Sequence, residues 1–485
     1  MSTTNLPFPP KGRSKQEILS EMRLVRDHDI KWEQGRVFGL VYHINTEIDD
    51  MLKEAFTMFF SENGLNPTAF PSLRKFETEV VAMTAALLGG DDKVCGNITT
   101  GGSESLLMAV KTARDWARLH HPEIRKPQMI LPKTAHPALD KAAEYFNVQA
   151  IHVPVSLDFR ADVEAMRSAI TPDTILMVGS APSYPHGVVD PIRELAALAQ
   201  EHGFLFHTDS CVGGFMLPFV RRLGYPIPDF DFNVPGVTSI SADLHKYGYA
   251  AKPASVILYK TPELRRHQMF VSIDWPGGIY PSPTMTGSRA GGPVAAAWAL
   301  MNFLGEEGYL HIADVVMKAS QHIQEGINAI PGLEVLSDPE MSVFAIGSNS
   351  VDVYEVADEL ELRGWHLDRQ HFPKCLHMTV NYMHISIADQ FLSDLAVCTA
   401  IVCKPDIRKA SNKILQVIAY FLTRILPEKW VSWLISKVSS LFRGSGGGLP
   451  SRMAPMYGLI GSLPNRGDLK ELVLDLLDSM TRLHA

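Results

Sequence analysis

The sequence predicts an α/β protein: a large domain on a mainly parallel sheet covered by helices on both faces, followed by a smaller α+β domain. Three observations carry this reading. Short apolar runs alternate with helical patterns from about residue 90 to 260, the alternation of a parallel sheet whose crossovers are helices. After Gly305 the alternation gives way to one long helical pattern. A chain of 485 residues, 46% of them hydrophobic, can also bury one large core and one smaller one.

Residues 1–60 read as an N-terminal segment. Met1 to Lys15 is polar, carries three prolines and lacks the apolar stretch of a secretion signal. The large domain is assigned to 61–305, with strands at 128–131, 150–153, 174–178, 204–207, 238–240 and 255–259 and helices between them. The small domain is assigned to 306–485. It begins with a helix at 308–330, continues through strands near 333–336 and 344–346 and a helix at 353–363, and closes with a helix at 468–483. No repeat of solenoid length is present.

Charge and cysteines narrow the class. A net charge of -8 argues against nucleic acid as a partner. Cys95, Cys211, Cys375, Cys398 and Cys403 are scattered, with neither metal-ligand pairing nor a disulfide framework, which suits a reducing, cytoplasmic location.

The stretch Ser241 to Tyr249 reads Ser-Ala-Asp-Leu-His-Lys-Tyr-Gly-Tyr and follows a short apolar run. A lysine there can form a Schiff base. Chemistry at an amine-bearing carbon needs an electron sink that no side chain supplies, so Lys246 points to pyridoxal 5′-phosphate (PLP), held by its phosphate, ring nitrogen and aldehyde. Thr99-Thr100-Gly101-Gly102-Ser103-Glu104-Ser105 runs into the helical pattern Leu106, Leu107, Val110, Ala113 and Ala117. A glycine turn opening a helix offers free N–H groups to a phosphate, although the same turn starts many helices that bind nothing. Asp209 ends the apolar strand Phe204 to Asp209. Beyond the carboxyl end of a strand, a carboxylate can keep a pyridine nitrogen protonated or merely cap the next turn. His207, two residues earlier, is assigned with it to the cofactor. His136, in Thr134 to Ala138, could stack on the ring, although alone it reads as an ordinary loop histidine. The order Gly-Gly-Ser, His, Asp, His-Lys makes these weak signals a set.

At this point the sequence resembles the group II PLP-dependent decarboxylase family. The residues that carry the resemblance are Phe70 to Glu77, Pro185 to Pro191, Thr238 to Tyr249 with Lys252, and Gly278 to Tyr280 with Gly287 to Arg289. It extends from about Gly35 to the last helix, apart from one insertion. It implies PLP fold type I, like aspartate aminotransferase, with a sheet of the seven-stranded type. It further implies that Lys246 carries the Schiff base, Asp209 pairs with the ring nitrogen, His136 stacks, and Gly102, Ser103 and His245 hold the phosphate. Gly287 and Ser288 would come from a second copy, so a homodimer with shared sites is implied. Eukaryotic relatives carry a membrane span ahead of the catalytic part, so a chain without one is read as the soluble, bacterial type.

The resemblance places Tyr42, Asn63, Asn66, Tyr184, Lys252 and Tyr280 on the substrate side. The implied reaction is aldehyde-lyase cleavage of the C2–C3 bond of a phosphorylated long-chain sphingoid base. Cations and hydroxyls there suit a phosphate, and Tyr184, Lys252 or the freed Lys246 could take the 3-hydroxyl proton. Asn66 departs from the pattern: the family usually has a phosphate-contacting histidine there, and asparagine carries no charge. Two alternatives follow: an amino-acid decarboxylase of glutamate or aromatic type, and a PLP-containing membrane protein without turnover.

Residues 411–443 are the insertion. Apolar halves are divided by Pro427, with Lys413, Arg424, Lys429, Lys437 and Arg443 interspersed. Each half is too short to span a bilayer. Aromatic, basic helices of this kind suit peripheral contact with a membrane, or a hairpin packed on the small domain or a dimer contact. The residues at 444–448, all glycine and serine, read as a flexible linker.

Overall fold

The computed structural model describes residues 8–404 together with Ala454, Lys470, Glu471, Val473, Leu474, Leu477 and Asp478. The insertion at 411–443 lies outside them, as does most of the closing helix at 468–483.

Seven strands form the large sheet among the described residues: β1 (Cys95–Thr99), β2 (Gln128–Pro132), β3 (Gln149–Val153), β4 (Thr174–Ser180), β5 (Leu205–Asp209), β6 (Ser239–Ala242) and β7 (Ser255–Tyr259). Their order is β1-β7-β6-β5-β4-β2-β3. Only β7 runs against its neighbours, pairing antiparallel with both β1 and β6; the other pairs are parallel. Strands β4 to β7 are buried along their whole length, and β4 and β7 accordingly appear in the sequence as near-continuous apolar runs. Alternation decides which side each residue packs: Met129 and Leu131 enter one core and Ile130 the other. Each fully buried aliphatic side chain contributes about 1.5–3 kcal/mol.

Helices α1 (Lys15–Arg26), α2 (Thr46–Met58) and α3 (Pro71–Leu87) precede the sheet. Helices α4 (Gly102–His120), α5 (Ala138–Phe146), α6 (Val163–Ser168) and α7 (Ile192–His202) lie between its strands. Helices α8 (Leu217–Arg222) and α9 (Pro262–Arg266) are short, and α10 (Gly291–Ala329) leads to the small domain. The helix expected at 308–330 is the second half of α10. Gly305, at φ 57° and ψ -171°, breaks the helix, a conformation that glycine adopts without a Cβ penalty; beyond it Tyr309, Ile312 and Val316 still pack in the large core.

An exposed hairpin, β8 (Phe270–Ser272) with β9 (Tyr280–Ser282), projects from the large domain. The small domain holds β10 (Glu334–Val335), β11 (Val343–Gly347), α11 (Val353–Glu361), β12 (Arg369–Gln370), β13 (Cys375–Thr379) and α12 (Ala388–Cys403). Its sheet is antiparallel, in the order β10-β11-β13-β12. Its core contains Ile323, Phe344, Tyr354, Trp365, Met378 and Phe391, with Phe38 from the N-terminal segment. That segment belongs to both cores, since Ile48 of α2 enters the large one. Strands β1 and β13 were absent from the sequence reading. Cys-Gly-Asn-Ile-Thr and Cys-Leu-His-Met-Thr each mix polar with apolar residues, and pairing within a sheet overrides such weak local preference.

Candidate active site

The carboxyl ends of β1, β2, β4, β5 and β6 open on one cavity of about 380 Å³, the usual ligand position in an open α/β sheet. It is lined by the Thr100–Ser103 turn, His136, Tyr184, Asp209, Asp243, His245 and Lys246, among others.

Lys246 Nζ lies 2.8 Å from Asp243 Oδ2, and Asp243 is almost wholly buried. Burial opposes the charge on Lys246, but the Asp243 carboxylate, helped by Cys211 and Asp209, outweighs it and raises the lysine pKa. Asp243 is in turn pulled below its ordinary range by Lys246 and His245, against the cost of its own burial. Its second oxygen, Oδ1, is buried without a hydrogen-bond partner. His245 Nδ1 sits 2.6 Å from the Ala254 carbonyl; Nε2 is 3.8 Å from Asp243 Oδ2.

The glycine turn reaches the same place. Gly101, at φ +137°, is the N-cap of α4 and supplies no side chain to the first turn, so no side chain caps the helix. A Cβ on Gly102 would lie 2.8 Å from Asp243 Oδ2 and 2.9 Å from Cys211 Sγ. Glu104 braces the turn by accepting from Thr100 N (2.6 Å), Thr100 Oγ1 (2.7 Å) and Met285 N (2.7 Å).

Asp209 Oδ1 accepts from Cys211 N at 3.1 Å and from Ser241 Oγ at 3.4 Å. His136 accepts from Ala138 N at 3.1 Å through Nδ1, and burial lowers its pKa, which favours a neutral ring. His207 does not line the cavity, contrary to the role read from the sequence. It is fully buried, with its nitrogens 2.9 Å from Ser239 Oγ and 3.2 Å from Ser241 Oγ, and burial pushes its pKa to about 4. It shares a face of β5 with Asp209, but only Asp209 reaches the end of the strand.

The residues expected on the substrate side are divided. Tyr184 lines the cavity; its hydroxyl donates to Asp368 Oδ2 at 3.1 Å, and burial together with that carboxylate raises its pKa. Tyr42 and Lys252 do not line it. Tyr42 is packed edge-on against Tyr247, and burial raises its pKa. Lys252 donates to the Leu40 carbonyl, and burial lowers its pKa. Asn63, Asn66, Tyr280, Gly287 and Ser288 stand outside the cavity of their own chain. Asn63 Nδ2 donates to Ser288 Oγ at 3.3 Å. Asn66 Oδ1 closes a local turn, accepting from Thr68 N at 3.0 Å and Thr68 Oγ1 at 2.7 Å. A Cβ on Gly287 would meet Tyr280 Oη at 2.8 Å.

Sequence reasoning missed Asp243, Cys211 and Asp368. An acid three residues before the lysine was a readable signal for Asp243; nothing local pointed to Asp368. The unpartnered Asp243 oxygen, the space kept by Gly102, the uncapped start of α4 and Asp209 at a strand end together fit PLP.

Residues 1–346 match the pyridoxal-dependent decarboxylase conserved domain. A sphingosine-1-phosphate lyase from rice is 42% identical over 99% of this chain and 82% of its own length. The chain belongs to the pyridoxal-dependent decarboxylase family, in its sphingosine-1-phosphate lyase branch. A solved sphingosine-1-phosphate lyase from Burkholderia pseudomallei is 39% identical, with a TM-score of 0.80 over 86% of this chain and 97% of that one. Glutamate decarboxylase from Lactobacillus brevis is 19% identical, with a TM-score of 0.71 over 83% of this chain and 97% of that one, a likeness of fold alone. PLP is the family's cofactor, and the fold is PLP fold type I.

Proposed function

We propose that this protein is a PLP-dependent aldehyde-lyase that cleaves the C2–C3 bond of phosphorylated long-chain sphingoid bases such as sphingosine 1-phosphate. The products are a long-chain aldehyde and phosphoethanolamine. The observation that carries the proposal is one cavity joining the Lys246 amine, the Asp209 carboxylate and the Tyr184 hydroxyl, in a chain with nearly full-length kinship to such lyases. Bound PLP supplies the electron sink for the broken bond. Lys246 would attach the cofactor, Asp209 would keep the ring nitrogen protonated, and His136 would offer a neutral face to the ring. Gly102, Ser103 and His245 hold its phosphate. Of the three candidates, Tyr184 and Lys246 line the cavity; removal of the 3-hydroxyl proton is assigned to Tyr184, whose hydroxyl is already hydrogen-bonded to Asp368. Lys252 and Tyr42, with Asn63, Asn66 and Tyr280, serve the substrate; because Asn66 carries no charge, grip on the phosphate falls chiefly to Lys252.

The site is completed in a homodimer, in which a second copy supplies Gly287 and Ser288. Two features support this: neither residue lines its own chain's cavity, and the adjoining hairpin exposes Phe270, Val271, Ile273, Trp275 and Ile279. The protein works in the cytoplasm, with 411–443 as a peripheral contact to the membrane that holds its substrate. Liposome co-sedimentation with and without that segment tests the last point.

The deciding experiment measures aldehyde and carbon dioxide from wild type and Lys246→Ala. Substrates are phosphorylated and unphosphorylated long-chain base, glutamate and aromatic amino acids. Aldehyde from the phosphorylated base alone, abolished in Lys246→Ala, is expected. Carbon dioxide from an amino acid without aldehyde from the base would overturn the proposal.

A further inference from the structure

The hydroxyl of Tyr184 has a single hydrogen, and a carboxylate oxygen of Asp368 stands in position to accept it. Tyr184 stands on the loop after β4, in the large domain, and lines the cavity. Asp368 stands in the small domain just before β12, and its Oδ2 accepts the Tyr184 hydrogen at 3.1 Å. With the hydrogen aimed at Asp368, the lone pairs of the Tyr184 oxygen are left for a donor in the cavity. The Asp368 side chain is 41% exposed, so a proton placed on it can pass to water.

We propose that Asp368 is the positioning residue of the proton-removing device: it orients the Tyr184 hydroxyl and takes its proton as Tyr184 accepts the proton of the substrate's 3-hydroxyl. The inference rests on the lyase reading given above. The substrate O–H bond breaks and its proton goes to Tyr184 Oη, while the Tyr184 O–H bond breaks and its proton goes to Asp368 Oδ2. The electron pair of the substrate O–H bond becomes the second C–O bond of the aldehyde. The C2–C3 bond breaks and its pair stays with the C2 fragment. Asp368 then returns its proton to water, so no oxidant or reductant is needed.

The neighbours of the pair leave this role to Asp368. His377 of β13 stacks on the Tyr184 ring at 3.9 Å between centroids, 22° from parallel, and so fixes its plane. The His377 nitrogens are engaged with Thr379 Oγ1 at 2.7 Å and Gln370 Nε2 at 3.2 Å. Burial pushes its pKa to about 3, so it stays neutral. Lys246 lies close enough to act on Tyr184 as a cation, and Tyr42 is a further hydroxyl near Tyr184. His366 Nε2 is 3.7 Å from Asp368 Oδ1, on the side away from the Tyr184 bond to Oδ2.

The test compares wild type, Asp368→Asn, Asp368→Glu, Asp368→Ala and Tyr184→Phe. Asp368→Asn is expected to lower kcat for aldehyde formation about fifty-fold at pH 7, with KM changed less than about threefold, since only the transition state uses the transfer. Its rate should climb with pH through the alkaline range, because burial still holds the Tyr184 pKa up, whereas the wild-type rate levels off earlier. Asp368→Glu should recover at least about a tenth of the activity. Formate should accelerate Asp368→Ala, but neither the wild type nor an Asp368→Ala/Tyr184→Phe double variant. In cofactor-free protein containing 3-fluorotyrosine, the ¹⁹F resonance absent from Tyr184→Phe should titrate at lower pH in Asp368→Asn, because a negative neighbour has been removed. An active wild type combined with a parallel pH profile, no formate rescue and an unmoved resonance would overturn the role of Asp368 alone. A wild type that forms no aldehyde would overturn the lyase reading, and the proton step with it.

Discussion

Asp243 sets the protonation of Lys246 before any ligand arrives. A buried lysine without a partner loses its proton readily; here the carboxylate 2.8 Å away reverses that tendency and raises the pKa. Below a raised pKa the neutral amine is scarce, and it increases about tenfold per pH unit. In Asp243→Asn the burial remains and the counter-charge is gone, so the lysine pKa falls and the neutral fraction at a given pH rises. Trinitrobenzenesulfonate should therefore modify Lys246 of the cofactor-free variant at pH 8 about tenfold faster than in wild type, read by peptide mass spectrometry. Equal rates would show that Asp243 does not control the amine. Gly102 tests the cradle beside it. Alanine there would put a Cβ 2.8 and 2.9 Å from the Asp243 oxygens, closer than ordinary contact allows, and overpacking of this kind costs about 1–3 kcal/mol. Gly102→Ala should weaken PLP binding about tenfold or more in a fluorescence titration.

The loop between β4 and α7 shows what a motif means at the scale of an element. Pro185 to Pro191 could be read as a conspicuous block in the sequence, but its purpose could not. Asp190 accepts from Ser180 N at 2.7 Å and Ala161 N at 2.8 Å, closing the loop on the end of β4. Gly187, at φ +72°, touches the small domain so closely that a Cβ would fall 1.7 Å from the Val343 carbonyl oxygen of β11. Gly187→Ala therefore combines a strained backbone with an impossible contact, and should destabilise the protein by about 3 kcal/mol or more, seen as a lower thermal midpoint. Tyr184, three residues earlier, should lose its place with it, so kcat should fall more than PLP affinity. The strands beneath were legible where burial on both faces selects apolar residues, as in Ile175 to Val178 of β4 and Val256 to Leu258 of β7. The exposed hairpin of β8 and β9 had no such signal, and the bond from Tyr184 to Asp368 joins residues 184 positions apart, beyond any local pattern.

At the scale of the molecule, the lysine-bearing segment is tied to both domains. Tyr247 Oη lies 2.7 Å from Ser342 Oγ and 2.8 Å from the Val380 carbonyl, while Tyr249 Oη accepts from Tyr382 N at 3.1 Å. The small domain thus holds the lysine segment, through Tyr247 and Tyr249, and orients Tyr184 through Asp368. The hairpin is exposed, with Val271 at 57% and Ile279 at 74%, a costly arrangement for a chain alone in water. In the proposed dimer this surface would be covered, and Gly287 and Ser288 would reach toward the second copy's cofactor site. Sedimentation equilibrium should give the mass of two chains. Val271→Arg with Ile279→Arg should shift the protein to monomer, because unpaired charges would have to be buried at the contact. Its circular dichroism should stay the same, since neither side chain belongs to a core. PLP affinity should fall with dimer content and recover at protein concentrations that restore the dimer. A monomeric variant that binds PLP as tightly as wild type would show that each chain builds its phosphate site alone.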